Sequence, residues 1–445
     1  RRFPNARNAP GVIRVARIAR VPTVATSTND STWSRETNVI LSAIRGRVLG
    51  AAVGSANGVD EATARDVRAR FLADFGDADP QVRRQVVAAA AVIPALDDSS
   101  RARVINAALG DPSASVRVEG VRGYARRRGP ACGPLVTATR DANAHVVLAA
   151  IDALAAPCEP SAAAVARLAT LVRELPSGVT SRSGARGSWH YAAHAIVSLA
   201  QISPDSARRL LARFAAHPVW QVRMYAARAA GELVDTATIR VLANDRSDNV
   251  RDAAVVALSS LVRPRDGSNS ARTAVVRGAE IDSLFISELN RSDYQLVLDA
   301  AKALDGAQPS VRLGEALYVT LDRITAEQRE TSRDPRLELL ARIEQVGGSN
   351  QTNRIRPYLN DYDPAIAERA SQVLRSWGVA IAVATPRRLP EIPVSLSDVA
   401  RLRDARVRVT MAPASGGGSF EMRLFVDEAP ATISRFVAAA RRGYY

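Results

Sequence analysis

Lysine is all but missing from this chain. Of 445 residues only Lys302 is a lysine, so the formal net charge of +15 is carried by arginine. A nucleic-acid surface gathers its basic residues into one stripe with aromatics between them. Here the arginines are spread along the chain and aromatics make up 5% of it. The bias reads as a GC-rich genome choosing arginine codons, and nucleic acid is not expected as a partner. Cysteine is nearly as scarce, with only Cys132 and Cys158. Their spacing suits no metal site. Two free thiols are expected, with a disulfide between successive repeats as the alternative in an oxidising compartment. No apolar run reaches the roughly 20 residues that a membrane helix needs, so no span is expected.

Histidine occurs four times. His190 and His194 are spaced to share a helix face, as metal-binding pairs do. Tyr191 stands where the metalloprotease pattern needs Glu, however, and no third ligand is in view. The pair is read as structural. Trp189, Trp220 and Trp377 are read as packing anchors. No catalytic, metal or cofactor residue is assigned in the chain.

What is abundant is alanine, arginine and repetition. Residues 245–258 read DRSDNVRDAAVVAL. Their spacing puts Val250, Ala254 and Leu258 on one helix face and turns Asp252 away. The same Val-Arg offset recurs in 77–90, 111–124 and 217–230. Residues 141–154, 291–304 and 361–374 keep the period and lose the Arg. Asp77, Asp111 and Asp141 open successive units 34 and 30 residues apart. That period, with two helices per unit, means a solenoid. The longer gaps hold insertions and at least one degenerate unit. Asp before the second helix is expected to cap its free N–H groups, and Pro suits the first turn.

The unit resembles HEAT-type repeats, specifically the short bacterial variety with D-P-x-x-x-V-R-x-x-A-x-x-A-L. The resemblance covers most of 36–378 and implies an α-α superhelical solenoid with a protein partner on its surface. It also implies that Arg83, Arg117, Arg223 and Arg251 join Asp side chains in a ladder between repeats.

Residues 1–35 hold six arginines before the first acid, Asp30, and read as a frayed N-terminal segment. The first residue is not Met, so an upstream start is expected to be missing. Helices are expected at 38–52 and 62–75. The Gly/Ser-rich stretches 176–188 and 263–278 read as loop insertions. Residues 379–405 read as a proline-stiffened linker followed by a short helix.

From 406 to 445 the period turns from helical to alternating. Val407, Val409 and Met411 point one way, with Arg408 and Thr410 opposite. A glycine-rich turn leads to Phe420, Met422, Leu424 and Val426, and the pair reads as a hairpin. Asp427-Glu428-Ala429-Pro430 opens a helix with buried face Ile433, Phe436, Val437 and Ala440, ended by Gly443. This run resembles the opening of a cyclophilin, a peptidyl-prolyl cis–trans isomerase. The matching residues are Gly418 to Phe425, Asp427 to Pro430, Thr432, Phe436, Val437, Ala440 and Arg442 to Tyr445. Arg435 departs from the family, which has Asn there. The resemblance implies an incomplete β-hairpin plus helix of a cyclophilin-like β-barrel and a folding function on proline-containing polypeptide clients. It implies no cofactor. The family's catalytic Arg, in a Phe-His-Arg segment, would fall beyond Tyr445, so no catalytic position can be placed on this chain. Bacterial proteins pairing such arrays with a cyclophilin give the ground for expecting the periplasm or cell envelope. The competing expectation is a non-enzymatic HEAT-repeat scaffold.

Overall fold

The computed structural model describes residues 69, 72–92, 96–126, 131–155, 162–178, 189–262, 275–380, 383–389, 394–411 and 418–443. The expected helix at 38–52, most of that at 62–75, the 1–35 segment and Cys158 lie outside them. The described residues fall into two compact units that divide between Asp235 and Thr236.

The first unit runs α1 (Pro80–Ala90), α2 (Asp98–Ala108), α3 (Ala114–Ala125), α4 (Gly133–Ala138), α5 (Ala144–Ala153), α6 (Ala162–Arg173), α7 (Trp189–Ile202), α8 (Pro204–Ala215) and α9 (Trp220–Glu232). The odd-numbered helices pack on one another in sequence, and each even-numbered helix packs on the odd one that follows it. Each pair is thus a helix–turn–helix unit, and stacking pairs buries the apolar face that none can bury alone. The sixth and seventh helices are the degenerate unit expected in the gap after Asp141, and the His190/His194 segment is the second helix of that pair.

The second unit repeats the scheme with α10 (Thr236–Leu242), α11 (Asp248–Leu261), α12 (Ala279–Glu288), α13 (Tyr294–Ala303), α14 (Val311–Ala326) and α15 (Arg333–Val346). Its last pair joins the short α16 (Thr352–Ile355) and a 3-10 turn, Arg356–Asn360, to α17 (Pro364–Ser376). Trp377 ties that pair to α15, donating from Nε1 to the Glu344 carbonyl at 3.3 Å. A side chain at Gly347 would collide with its ring.

The core follows the repeat register. Val82, Val116, Val222 and Val250, each third in its helix, are buried, as are Ala254 and Leu258. Two expectations need correction. The expected Asp cap is present at Asp79 and Asp363, but Asp111 and Asp141 are not caps. Asp111 Oδ1 accepts from Ser113 N–H and Asp141 Oδ1 from Asn143 N–H, each at 2.8 Å, so it holds the turn before the cap. Asp79, Asn143 and Asp363, each at the helix mouth, do the capping. Asp252 does not face away into water either: it is half-buried, with one oxygen fully enclosed.

Cys132 is disulfide-bonded, which corrects the expectation of two free thiols. The sequence offers it one intramolecular partner, Cys158. The base of the second insertion is pinned, since Val275 N–H donates to the Leu261 carbonyl at 3.0 Å. The proline-containing segment after Gly378 is not a free tether. Thr385 N–H bonds the Leu359 carbonyl at 2.7 Å and Arg387 N–H that of Asp361 at 3.1 Å.

Beyond α18 (Leu396–Leu402), strands β1 (Arg406–Thr410) and β2 (Ser419–Arg423) pair antiparallel, with Val407 opposite Met422 and Val409 opposite Phe420. Helix α19 (Pro430–Arg441) follows, and Gly443 after it takes the left-handed conformation at φ 69°. Leu424 and Val426 are buried, while Phe420 and Met411 are exposed. The face of α19 expected to be buried is not: Ile433, Phe436 and Val437 are only half-covered and Ala440 is exposed.

Candidate functional site

Two sets of arginines must be placed before any surface can be read as free. The first is the fourth residue of the odd helices. Arg83 donates from Nε and Nη2 to both Asp111 oxygens at 2.8 and 2.9 Å, and from Nη1 to the Asp77 carbonyl. Arg117 does the same with Asp141, at 2.8 and 2.9 Å. Such two-pronged pairs are the strong form of the interaction. The hydrogen bonds from Arg83 and Arg117 hold Asp111 and Asp141 below the usual carboxylate range, against the opposing effect of burial. Arg251 reaches Glu288 at 3.5 Å, and Arg223 donates to the His217 carbonyl of its own turn at 2.8 Å.

The sequence pattern missed the fifth member. Arg336 is fourth in α15, fully buried, and bonds Asp361 at 2.8 Å with Tyr362 stacked under its guanidinium at 4.4 Å. Its Nε and Nη2 have no hydrogen-bond partner among the described residues. The signal was obscured because Pro335 occupies the Val position of the motif. Arg333 lies beside it and pairs with Asp363 at 2.6 Å.

The second set caps helix C-termini, where unpaired carbonyls favour a cation. Arg101 donates to the Ala90 carbonyl, the last of α1, and Arg167 to that of Thr139, each at 3.1 Å. In the other unit Arg277 donates to the Ala303 carbonyl at 2.9 Å and Arg323 to those of Leu289 and Arg291 at 3.1 and 2.9 Å. Much of the chain's positive charge is therefore engaged with its own backbone and carboxylates.

What remains is a ribbon formed by the fifth, sixth and ninth residues of the odd helices. In the first unit it begins with Arg84, Glu119 and Arg122, where Glu119 accepts from Arg122 at 3.0 Å. It continues as a three-helix relay. Asp152 of α5 meets His194 Nδ1 of α7 at 2.7 Å, and Tyr225 Oη of α9 meets His194 Nε2 at 2.6 Å. With Asp152 ionised, Nδ1 carries the proton, so Nε2 accepts from the tyrosine hydroxyl. Arg228 lies over the Tyr225 ring at 4.9 Å. Burial pushes the Tyr225 phenol up, with Arg228 opposing. His190 stacks on Trp189 at 3.7 Å, and burial, then His194, lowers its basicity. The expected histidine face therefore exists, but His194 serves a relay between helices. Among the described residues no group of three or more His, Cys, Asp or Glu side chains could hold a metal ion.

The same ribbon in the second unit carries Asp252, Asp299, Lys302, Glu338 and Arg369. Lys302 donates to Asp299 at 2.9 Å, and Arg369 pairs with Glu344. No helix among the described residues is long and apolar enough to cross a membrane.

No family model and no curated protein matches the chain. Among solved structures it is similar to the Escherichia coli protein YibA, at 15% identity and a TM-score of 0.41 over 67% of this chain and 98% of that one. The Kap95:Nup1 complex gives 12% identity and a TM-score of 0.47, covering 83% of this chain and 55% of that one. Importin beta gives 12% and 0.42, over 84% and 55%. At such low similarity the assignment of stacked helix pairs rests on the packing of this chain itself.

Proposed function

We propose that this chain is a non-enzymatic interaction scaffold whose odd-helix ribbon docks extended polypeptide. The supporting observation is the pattern of that ribbon. While the fourth-position arginines are turned into the stack, Arg122, Asp152 and Arg228 at ninth positions are exposed and of both signs. Alternating charges beside a half-buried tyrosine can pair with the charged side chains and backbone of a bound chain. The test is titration with a permanently unfolded, proline-containing polypeptide. Saturable binding weakened about tenfold by Arg122→Glu with Arg228→Glu supports the scaffold. Absent binding, or binding indifferent to both reversals, contradicts it.

A second reading, in which the scaffold delivers a cyclophilin-type peptidyl-prolyl isomerase, is favoured by the antiparallel hairpin joined to a helix that opens Asp427-Glu428-Ala429-Pro430. Rotation about an X–Pro bond needs an apolar pocket for the ring. It also needs a cationic donor near the prolyl nitrogen, which becomes a better acceptor when amide resonance is lost in the twisted state. The family positions that would supply these are not among the matching residues. The 445-residue chain is expected to show no turnover in a proline-peptide assay, and measurable turnover overturns that assignment. A Phe-His-Arg within about a dozen codons after Tyr445 favours the isomerase, on the family's motif spacing. A stop codon or low-complexity tail there favours the scaffold alone.

A further inference from the structure

The second unit contains a polar arrangement that the ladder does not use. Asp252, on α11, turns toward α13, the next odd helix in the stack. Its Oδ1 is fully enclosed and has no hydrogen-bond partner among the described residues. Two charged groups of α13, Asp299 and Lys302, act on it together with Asp293 at the mouth of that helix. Asp299 is well supplied with donors, taking Lys302 Nζ on one oxygen at 2.9 Å and Gln295 Nε2 on the other at 2.7 Å. Asp293 is engaged at the mouth of its own helix, accepting from Leu296 N–H at 2.9 Å. The other helix packed on α11 within this unit is α10, whose one charged residue, Arg240, pairs with Glu280 at 3.5 Å. On α11 itself Arg251 is taken by Asp248 and Glu288.

An enclosed carboxylate oxygen facing a second carboxylate is costly when both are ionised, because like charges in a partly desolvated site repel. One proton removes the repulsion and gives the orphaned oxygen its bond. Both Asp299 oxygens already accept hydrogen bonds, while the enclosed Asp252 oxygen has none among the described residues, so the proton is placed on Asp252. We infer that Asp252 and Asp299 form a proton-operated latch between α11 and α13, closed when Asp252 donates to Asp299 and loosened when that proton leaves. Consistent with this, burial and then the Asp299 charge push Asp252 up to about 7.

The sign follows. A carboxyl whose proton is held more tightly in the closed state adds stability that is complete below its ordinary value near 3.8. That stability is lost as pH rises through about 7 and changes no further above it. The latch therefore loosens toward neutral pH, opposite in direction to the acid loss of the ladder rungs.

Amide hydrogen exchange of the full chain, corrected for intrinsic rates, reads this directly. Opening of α11 and α13 should increase about tenfold per pH unit between about pH 5 and 7 and then level off, the slope of one linked proton. Asp252→Asn, which donates at every pH, should flatten the profile while leaving protection at pH 5 within about twofold. If that variant fails to fold, Asp299→Asn, which removes the facing charge but leaves Asp252 enclosed, should end the sloping range at lower pH than in the wild type without abolishing it. Infrared difference spectra of the wild-type chain between about pH 5 and 8 should show one carboxylic-acid carbonyl band disappearing. A flat wild-type profile, a slope surviving in Asp252→Asn, an Asp299→Asn profile identical to that of the wild type, or no such band overturns the latch.

Discussion

The two units stack helix pairs alike but place their charges differently. In the first, Arg83 and Arg117 hold Asp111 and Asp141 by two bonds each while remaining about one-sixth exposed, at 15% and 16%. In the second, the equivalent Arg336 has no exposure at all, makes one bond to Asp361 and leaves two nitrogens unsatisfied. Partial exposure lets water solvate what the partner does not. Full burial removes that recourse, so the same rung becomes a device that is costly to break yet dispensable if replaced as a whole.

That contrast can be broken most strongly at its buried end. Arg336→Ala leaves Asp361 enclosed without its cation and should lower the stability of the second unit by about 3–5 kcal/mol in chemical denaturation. Replacing both partners by apolar residues of similar volume should restore most of the loss. In the first unit the largest single effect should come from the Cys132 disulfide. Its reduction should cost about 3 kcal/mol by releasing loop entropy in the unfolded chain. Arg117→Ala, with Asp141 left partly hydrated, should cost about 1.5–3 kcal/mol. Tyr225→Phe removes one hydrogen bond of the relay and should cost about 1 kcal/mol.

Acid sharpens the comparison further. Asp111 and Asp141 have lowered values, so their contribution is present above the ordinary carboxylate range. It is lost as pH falls through the lowered values. Acid unfolding of the first unit should therefore be steeper than that of an Arg83→Met, Arg117→Met variant, measured by circular dichroism.

The register of the repeat was legible in the sequence because Val and Ala at three- and four-residue spacing can only serve one helix face, as Val250, Ala254 and Leu258 do. The hairpin was legible for the same reason with period two. What escaped were contacts whose partners lie in different repeats. Asp152, His194 and Tyr225 come from three helices, and the pair of histidines four apart hinted at the shared face but not at its neighbours. Asp252 was misplaced because its own helix offers no reason to bury it; the reason is α13. Arg336 was hidden by Pro335, although the Asp-Pro beside it was a usable cue. The C-terminal helix looked amphipathic in sequence yet has no fully buried residue, since covering it depends on elements that its own period does not specify.

The central claim is that the fourth-position arginines hold repeats together and are not held in reserve for a ligand, which falls to the exposed charges at ninth positions. A double-mutant cycle on Arg117→Met and Asp141→Asn tests it most directly. The account predicts a coupling of about 1–3 kcal/mol between the two positions. Additive effects, with no coupling beyond about 0.3 kcal/mol, would contradict it.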